Sequence, residues 1–228
     1  MPFYRKIHFI NFSRKLTINS VFFLISLYFL KLGFSGWQIG LILALYAFAP
    51  ILFAFPTGWI NDRFAIERVI QAALLAQGLL LMLAANVRNF PAMAATFLFL
   101  GLANNALDVS TNSLFFKDET AMDQNRKYGL LSFWTALGTA VGTLLGGGVI
   151  SLTSFPTLLT AFSLYLLGVL FLARNLGGQK FEVVSFREYR VSLLKRKAIL
   201  FIILLFILTL HWGVEGTVYS PFLRKNFG

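Results

Sequence analysis

Gly58-Trp59-Ile60-Asn61-Asp62-Arg63-Phe64-Ala65-Ile66-Glu67-Arg68 is a short charged stretch between two long apolar segments, 39–57 and 69–85. Charge confined to a tight turn between such segments means that the chain leaves one membrane face and returns to it at once.

Composition agrees with a bilayer as the main solvent. Of 228 residues, 57% are hydrophobic and 13% charged, with 26 Phe and a mean hydropathy of +0.74. A soluble domain carries roughly 25% charged residues. The net charge of +11 raises nucleic acid as a partner, but the basic residues sit between apolar runs rather than along one face, so no nucleic-acid partner is expected. Zero Cys excludes disulfides, Cys-ligated zinc and thiol catalysis. With only two His, no metal site is expected, and no cofactor is called for. No phosphate loop, His-Glu-x-x-His or Gly-x-Ser-x-Gly pattern occurs, so no catalytic residue and no enzyme is expected. The start, Met1-Pro2-Phe3-Tyr4-Arg5-Lys6, lacks a small-x-small cleavage site and reads as the approach to a first span rather than a signal peptide.

A membrane helix needs about 20 mostly apolar residues. Seven stretches qualify, at about 16–32, 39–57, 69–86, 92–115, 129–151, 156–173 and 198–219. Turn and breaker residues separate them: Gly33-Phe34-Ser35-Gly36, Asn89-Phe90-Pro91 and Ser154-Phe155-Pro156. Without water, the backbone must satisfy itself as helix, and the runs lack the short alternation of barrel strands. The fold class is therefore all-α and integral to a membrane.

Lys and Arg set the orientation. Sixteen lie on the side of the amino-terminal tail, the 58–68 turn, the loop with Lys117, Arg126 and Lys127, and the stretch Arg174–Lys197. Four lie opposite: Lys31, Arg88, Arg224 and Lys225. The amino terminus is expected in the cytoplasm and Gly228 outside, in a cytoplasmic (inner or plasma) membrane. Residues 174–197 read as a basic amphipathic linker lying on anionic lipid, which makes membrane lipid a partner.

The spacing Gly58-x-x-x-Asp62-Arg63 resembles the loop between helices 2 and 3 of the major facilitator superfamily of transporters. That pattern continues Gly-Arg-Arg after one residue, where this chain has Ala65, Ile66 and Glu67, with Arg68 just beyond. Six spans, a long basic loop and a further span also resemble the family's layout of two six-helix halves, each holding inverted three-helix repeats. An internal echo fits two such halves: Phe29-Leu30-Lys31-Leu32-Gly33 after the first span, and Phe222-Leu223-Arg224-Lys225-Asn226-Phe227-Gly228 after the seventh. The resemblance implies a cytoplasmic tail over 1–15, a six-helix transporter half over 16–173, the linker over 174–197, and the first helix of a truncated second half over 198–228. A missing carboxy-terminal half or a partner chain would then be needed for transport. It also implies that Gly58, Asp62 and Arg63 form a gating loop; by themselves the two charges also fit solvated, orientation-setting residues.

The fourth span carries Gly101-Leu102-Ala103-Asn104-Asn105-Ala106-Leu107-Asp108-Val109-Ser110-Thr111-Asn112. An ionisable group inside a span is expensive and by default faces a cavity or a partner. Asn104 and Asn105 lie four and three residues before Asp108, and Thr111 and Asn112 three and four after, on one helical face. A carboxylate desolvated there is suited to loading and releasing a proton. The stretch resembles helix 4 of the fucose-permease group of sugar–proton symporters and of related sugar or efflux carriers; Gly101, Asp108 and Asn112 match, while Ala103 and Asn105 replace Gly. The resemblance implies Asp108 as the proton site and Asn112 as a hydrogen-bonder to a small-molecule solute, with Asn104 and Asn105 beside it. A buried Asp held by neighbouring amides is the structural alternative.

In the fifth span, Gly138, Gly142, Gly146 and Gly147 place small residues where another helix can approach closely. Their spacing also resembles the helix-5 motif of facilitator-type antiporters, with Thr143 in place of its Pro. The fourth span lacks the Arg common in proton-driven drug exporters. In the seventh span, His211 and Glu215 stand one turn apart, either as a proton-sensitive pair or as an edge pair near water beside Trp212.

These readings converge on secondary active transport of a small polar solute, a sugar in the first instance, coupled to protons by alternating access. The alternatives are a non-transporting or partner-dependent membrane subunit, a truncated gene product, or a drug-type efflux carrier. A retinal pump would need a Lys in the last span, and residues 198–218 have none. A hormone-type receptor would reverse the orientation.

Overall fold

The computed structural model describes residues 3–116 and 123–174, with positions 176, 199, 200, 203 and 204. The expected linker and seventh span, including His211 and Glu215, lie essentially outside the described residues.

Seven helices occur among the described residues: α1 (Phe3–Phe22), α2 (Ile25–Lys31), α3 (Gly36–Arg63), α4 (Ile66–Asn86), α5 (Phe90–Phe116), α6 (Gln124–Leu152) and α7 (Phe155–Ala173). The last five are long and apolar enough to cross a membrane, and they lie where the second to sixth spans were expected. No strand occurs among the described residues.

Helical structure begins earlier than the apolar run predicted. Residues 3–15, expected as a tail, belong to α1, with Ile7, Ile10 and Arg14 almost fully buried. Their polar face is matched inside the bundle, so a window counting only apolar residues starts the helix too late. The break between α1 and α2 follows Ser20, whose hydroxyl lies 2.8 Å from the Leu16 carbonyl, a side-chain competition that bends helices.

The 58–68 stretch is less of a turn than its charge suggested. α3 continues to Arg63, Phe64 and Ala65 alone make the turn, and α4 starts at Ile66. The helix persists because Asn61 is buried against α5, where its side-chain oxygen accepts from Ser110 Oγ at 2.8 Å.

The other hinges follow their residues. Gly33 adopts φ +84°, which lets Gly33 N–H reach Leu30 O and Phe34 N–H reach Phe29 O, closing the end of α2. Gln38 Oε1 accepts from Ser35 N–H at 2.8 Å at the start of α3. Asn89 Oδ1 caps α5 through Ala92 N–H at 2.9 Å, and Ser154 caps α7 with Pro156 in its first turn.

The packing is a repeat. α1 pairs with α6 as α3 pairs with α5, α4 packs on α5 as α7 packs on α1, and α4 meets α7. Exchanging the first three spans for the second three leaves this pattern unchanged, the signature of two three-span units. Helix association in lipid relies on close van der Waals contact rather than water exclusion. Accordingly, a Cβ on Gly138 would stand 2.6 Å from Phe12 O, while one on Gly142 or Gly146 would collide with the Leu16 or Ser20 backbone. Gly101 meets the Tyr46 carbonyl in the same manner, across the α3–α5 pair. Gly147, expected in this stripe, has open space beside it because it lies one residue, about 100°, off the contact line. Phe29, Phe97 and Phe115 fill the interior, while Leu144 and Leu152 stay outside, 77% and 86% exposed.

Candidate functional site

The fourth span's acid is not alone. Arg14 Nη2 lies 2.6 Å from Asp108 Oδ1, and Lys15 Nζ lies 3.3 Å from the same oxygen. Arg14 also donates to Asn104 Oδ1 at 3.0 Å and to Asn11 Oδ1 at 2.9 Å, and Asn104 Nδ2 faces Asp108 Oδ2 at 3.4 Å. The network continues into α6, where Asn11 Nδ2 donates to Thr135 Oγ1 at 2.7 Å and Asn19 Nδ2 to Thr139 Oγ1 at 3.2 Å. Three helices, α1, α5 and α6, therefore meet through one polar cluster.

The cluster's charges are unevenly placed. Arg14's side chain is 1% exposed and that of Asp108 is 36% exposed, so the carboxylate lies at an opening and the guanidinium behind it. Two cations and one anion leave net positive charge. Arg14 Nε is buried without a hydrogen-bond partner, an open donor in the same group. Taking charges out of water is costly, and a buried pair is weak evidence for stability. Intramembrane charge of this kind points to function.

Of the five residues the sequence put on one face, the structure brings two together. Asn104 and Asp108 share the cluster. Asn105, one position on, turns toward α3 and donates to Thr57 Oγ1 at 3.3 Å, while Asn112 is exposed and beyond the cluster. Asn105 and Ser110 instead fasten α5 to α3.

The residues that composition missed are Arg14 and Lys15, counted as tail charge. No Arg lies within the fourth span, yet α1 supplies one to it. Their signal was present: Asn11, Arg14, Lys15 and Asn19 recur at spacings of three to four residues, which puts polar groups along one side of a helix.

At the α3–α4 turn, Asp62 is buried, and the Arg63 guanidinium stands 4.1 Å from the centre of the Trp59 ring. A Cβ on Gly58 would meet nothing within 4 Å, so that position has room to spare. Among the described residues no group of His, Cys, Asp or Glu is arranged to hold a metal.

Comparison with known proteins places this geometry. The family model described as Major Facilitator Superfamily matches residues 7–228. A putative nucleoside transporter, YegT of Escherichia coli (strain K12), is 35% identical over 147 residues, which is 61% of this chain and 34% of that protein. The uncharacterized transporter C1039.04 of Schizosaccharomyces pombe (strain 972 / ATCC 24843) is 33% identical over 76 residues, 33% of this chain and 15% of that protein. In structure, the chain is similar to the nucleoside transporter NupG, with a TM-score of 0.75 at 18% identity, covering 100% of this chain and 60% of that one. The chain thus spans only part of the length of the relatives it matches. With its apolar helices and its matching repeat of three-span units, the chain is a multi-pass membrane protein and belongs to the major facilitator superfamily.

Proposed function

We propose that the chain carries out secondary transport of a small polar solute by alternating access, with the Arg14–Asp108 pair as the site where solute and proton meet. The observation that carries this reading is a buried guanidinium held by a carboxylate that is itself open on one side. A proton taken up at Asp108 Oδ1 neutralises the counter-ion of Arg14. Arg14 and Asn104 are then free to donate to a solute oxygen, and release of the proton restores the pair and expels the solute. Proton and solute are coupled because both act on the same two side chains.

For the solute, a nucleoside is favoured over a free sugar. Similarity to the putative nucleoside transporter YegT and to the nucleoside transporter NupG supports that class, and ribose hydroxyls suit a carboxylate, an amide and a guanidinium equally well. The amino terminus is assigned to the cytoplasm, on the Lys and Arg asymmetry, with Asp62 and Arg63 at the gating turn. α3 and α6 carry exposed Ile51, Leu52, Leu144 and Leu152, and occupy equivalent places in the two three-span units. They suit a second six-helix unit or a partner chain as the opposite cavity wall. The test is uptake of labelled uridine and of labelled fucose into proteoliposomes under an imposed pH gradient. Gradient-driven uridine uptake supports the reading; fucose uptake alone replaces the solute, and no uptake of either refutes transport by this chain.

A further inference from the structure

We propose that the end of the bundle opposite the α3–α4 turn holds an anionic phospholipid, with its phosphate between Lys31 and Arg88 and an acyl chain along the groove between α4 and α7. Two adjoining cavities carry this assignment. The first, about 190 Å³, is lined by Tyr28, Lys31, Leu32, Arg88, Ser154, Phe155 and Pro156, with two cations and no acid. Its Arg is held in place: Arg88 Nη1 donates to Tyr28 Oη at 3.0 Å, and the Tyr28 ring stacks on Phe155 at 5.0 Å. A fixed guanidinium presents paired donors to phosphate, and an exposed Lys31 adds a mobile charge beside it.

The second cavity, about 450 Å³, shares Pro156 and continues along α4 and α7 past Ala85, Ala161 and Leu164. Its polar members are already engaged. Thr160 Oγ1 donates to Pro156 O, Asn86 Nδ2 donates to Met82 O, and the Thr157 hydroxyl lies against Ser154 Oγ. The groove therefore offers an acyl chain an apolar wall, made wide by alanines. A basic pocket opening into an apolar groove at a membrane-facing seam matches a lipid with an anionic headgroup. Inorganic phosphate would use only the first cavity, and a zwitterionic lipid would bring a third cation toward Lys31 and Arg88.

The experiment measures the thermal stability of the purified chain in neutral detergent against phosphatidylglycerol, phosphatidylcholine or inorganic phosphate. The proposal expects phosphatidylglycerol to raise Tm at a concentration about tenfold below that needed for phosphatidylcholine. Lys31→Gln, at an exposed position, and Arg88→Gln should each reduce that difference. Leu164→Trp, which narrows the groove, should weaken both lipids. Equal responses to the two lipids, a preference kept in both charge variants, or the same rise with inorganic phosphate would each overturn it.

Discussion

Arg14 Nη2 and Asp108 Oδ1 stand 2.6 Å apart, joining helices whose sequence positions differ by 94 residues. The pair links the first three-span unit to the second at the point where α1, α5 and α6 converge. Removing Arg14 leaves Asp108 only the more distant Lys15, at 3.3 Å, as its cation. Arg14→Gln should therefore destabilise the protein by about 1–3 kcal/mol, below the ~3–5 kcal/mol of a fully enclosed pair because Asp108 is open on one side. Adding Asp108→Asn should recover part of that loss, which thermal melts of the two single variants and the double variant would show. Additive losses would mean that the pair is not coupled.

Asn104 and Asn105 are neighbours with different tasks. Asn104→Ala should lower uptake as well as Tm, since Asn104 accepts from the buried Arg14 and faces Asp108. Asn105→Ala should destabilise the protein by about 1 kcal/mol and spare solute affinity, since its partner is Thr57 on α3. Uptake kept in Asn104→Ala and lost in Asn105→Ala would move the site away from Asp108.

Gly142→Ala should be destabilising by about 1–3 kcal/mol, because the added methyl meets the Leu16 backbone and can be relieved only by separating α1 from α6. Gly147→Ala, five residues on and facing open space, should be neutral or slightly stabilising. Melts of the two variants side by side check this directly. Equal effects would show that the stripe does not hold α6 to α1.

The absence of Cys makes orientation simple to read. Single substitutions Phe64→Cys, at the α3–α4 turn, and Asn89→Cys, before α5, both fall at exposed positions. A membrane-impermeant maleimide added to intact cells should label the second and leave the first unlabelled. The reverse pattern would invert the topology.

Much of this architecture was legible because membrane spans announce themselves by length and apolarity, and Gly33, Asn89 and Ser154 mark their ends with specific turn chemistry. The glycine stripe was equally visible, since residues four apart share a face; Gly147 was misplaced only because adjacent glycines look alike until one meets a partner. The site was half legible. Asp108 stood out as a charge within a span, but its cations came from α1, where Arg14 and Lys15 resembled a solvated tail. A helix that buries a polar face in its own bundle fails every apolar window. The same reason extended α3 through Asn61, whose partner Ser110 is distant in sequence. Asn104 and Asn105 could not be separated by spacing either, since a rotation of about 100° decided which met Arg14.

The most direct test of Asp108 as the coupling residue is proton movement driven by uridine in proteoliposomes holding a pH-sensitive dye, with wild type and Asp108→Asn side by side. Uridine should drive protons in the wild type, and Asp108→Asn should abolish this movement. Equal uridine-driven proton flux in the two proteins would contradict it and remove Asp108 from the mechanism.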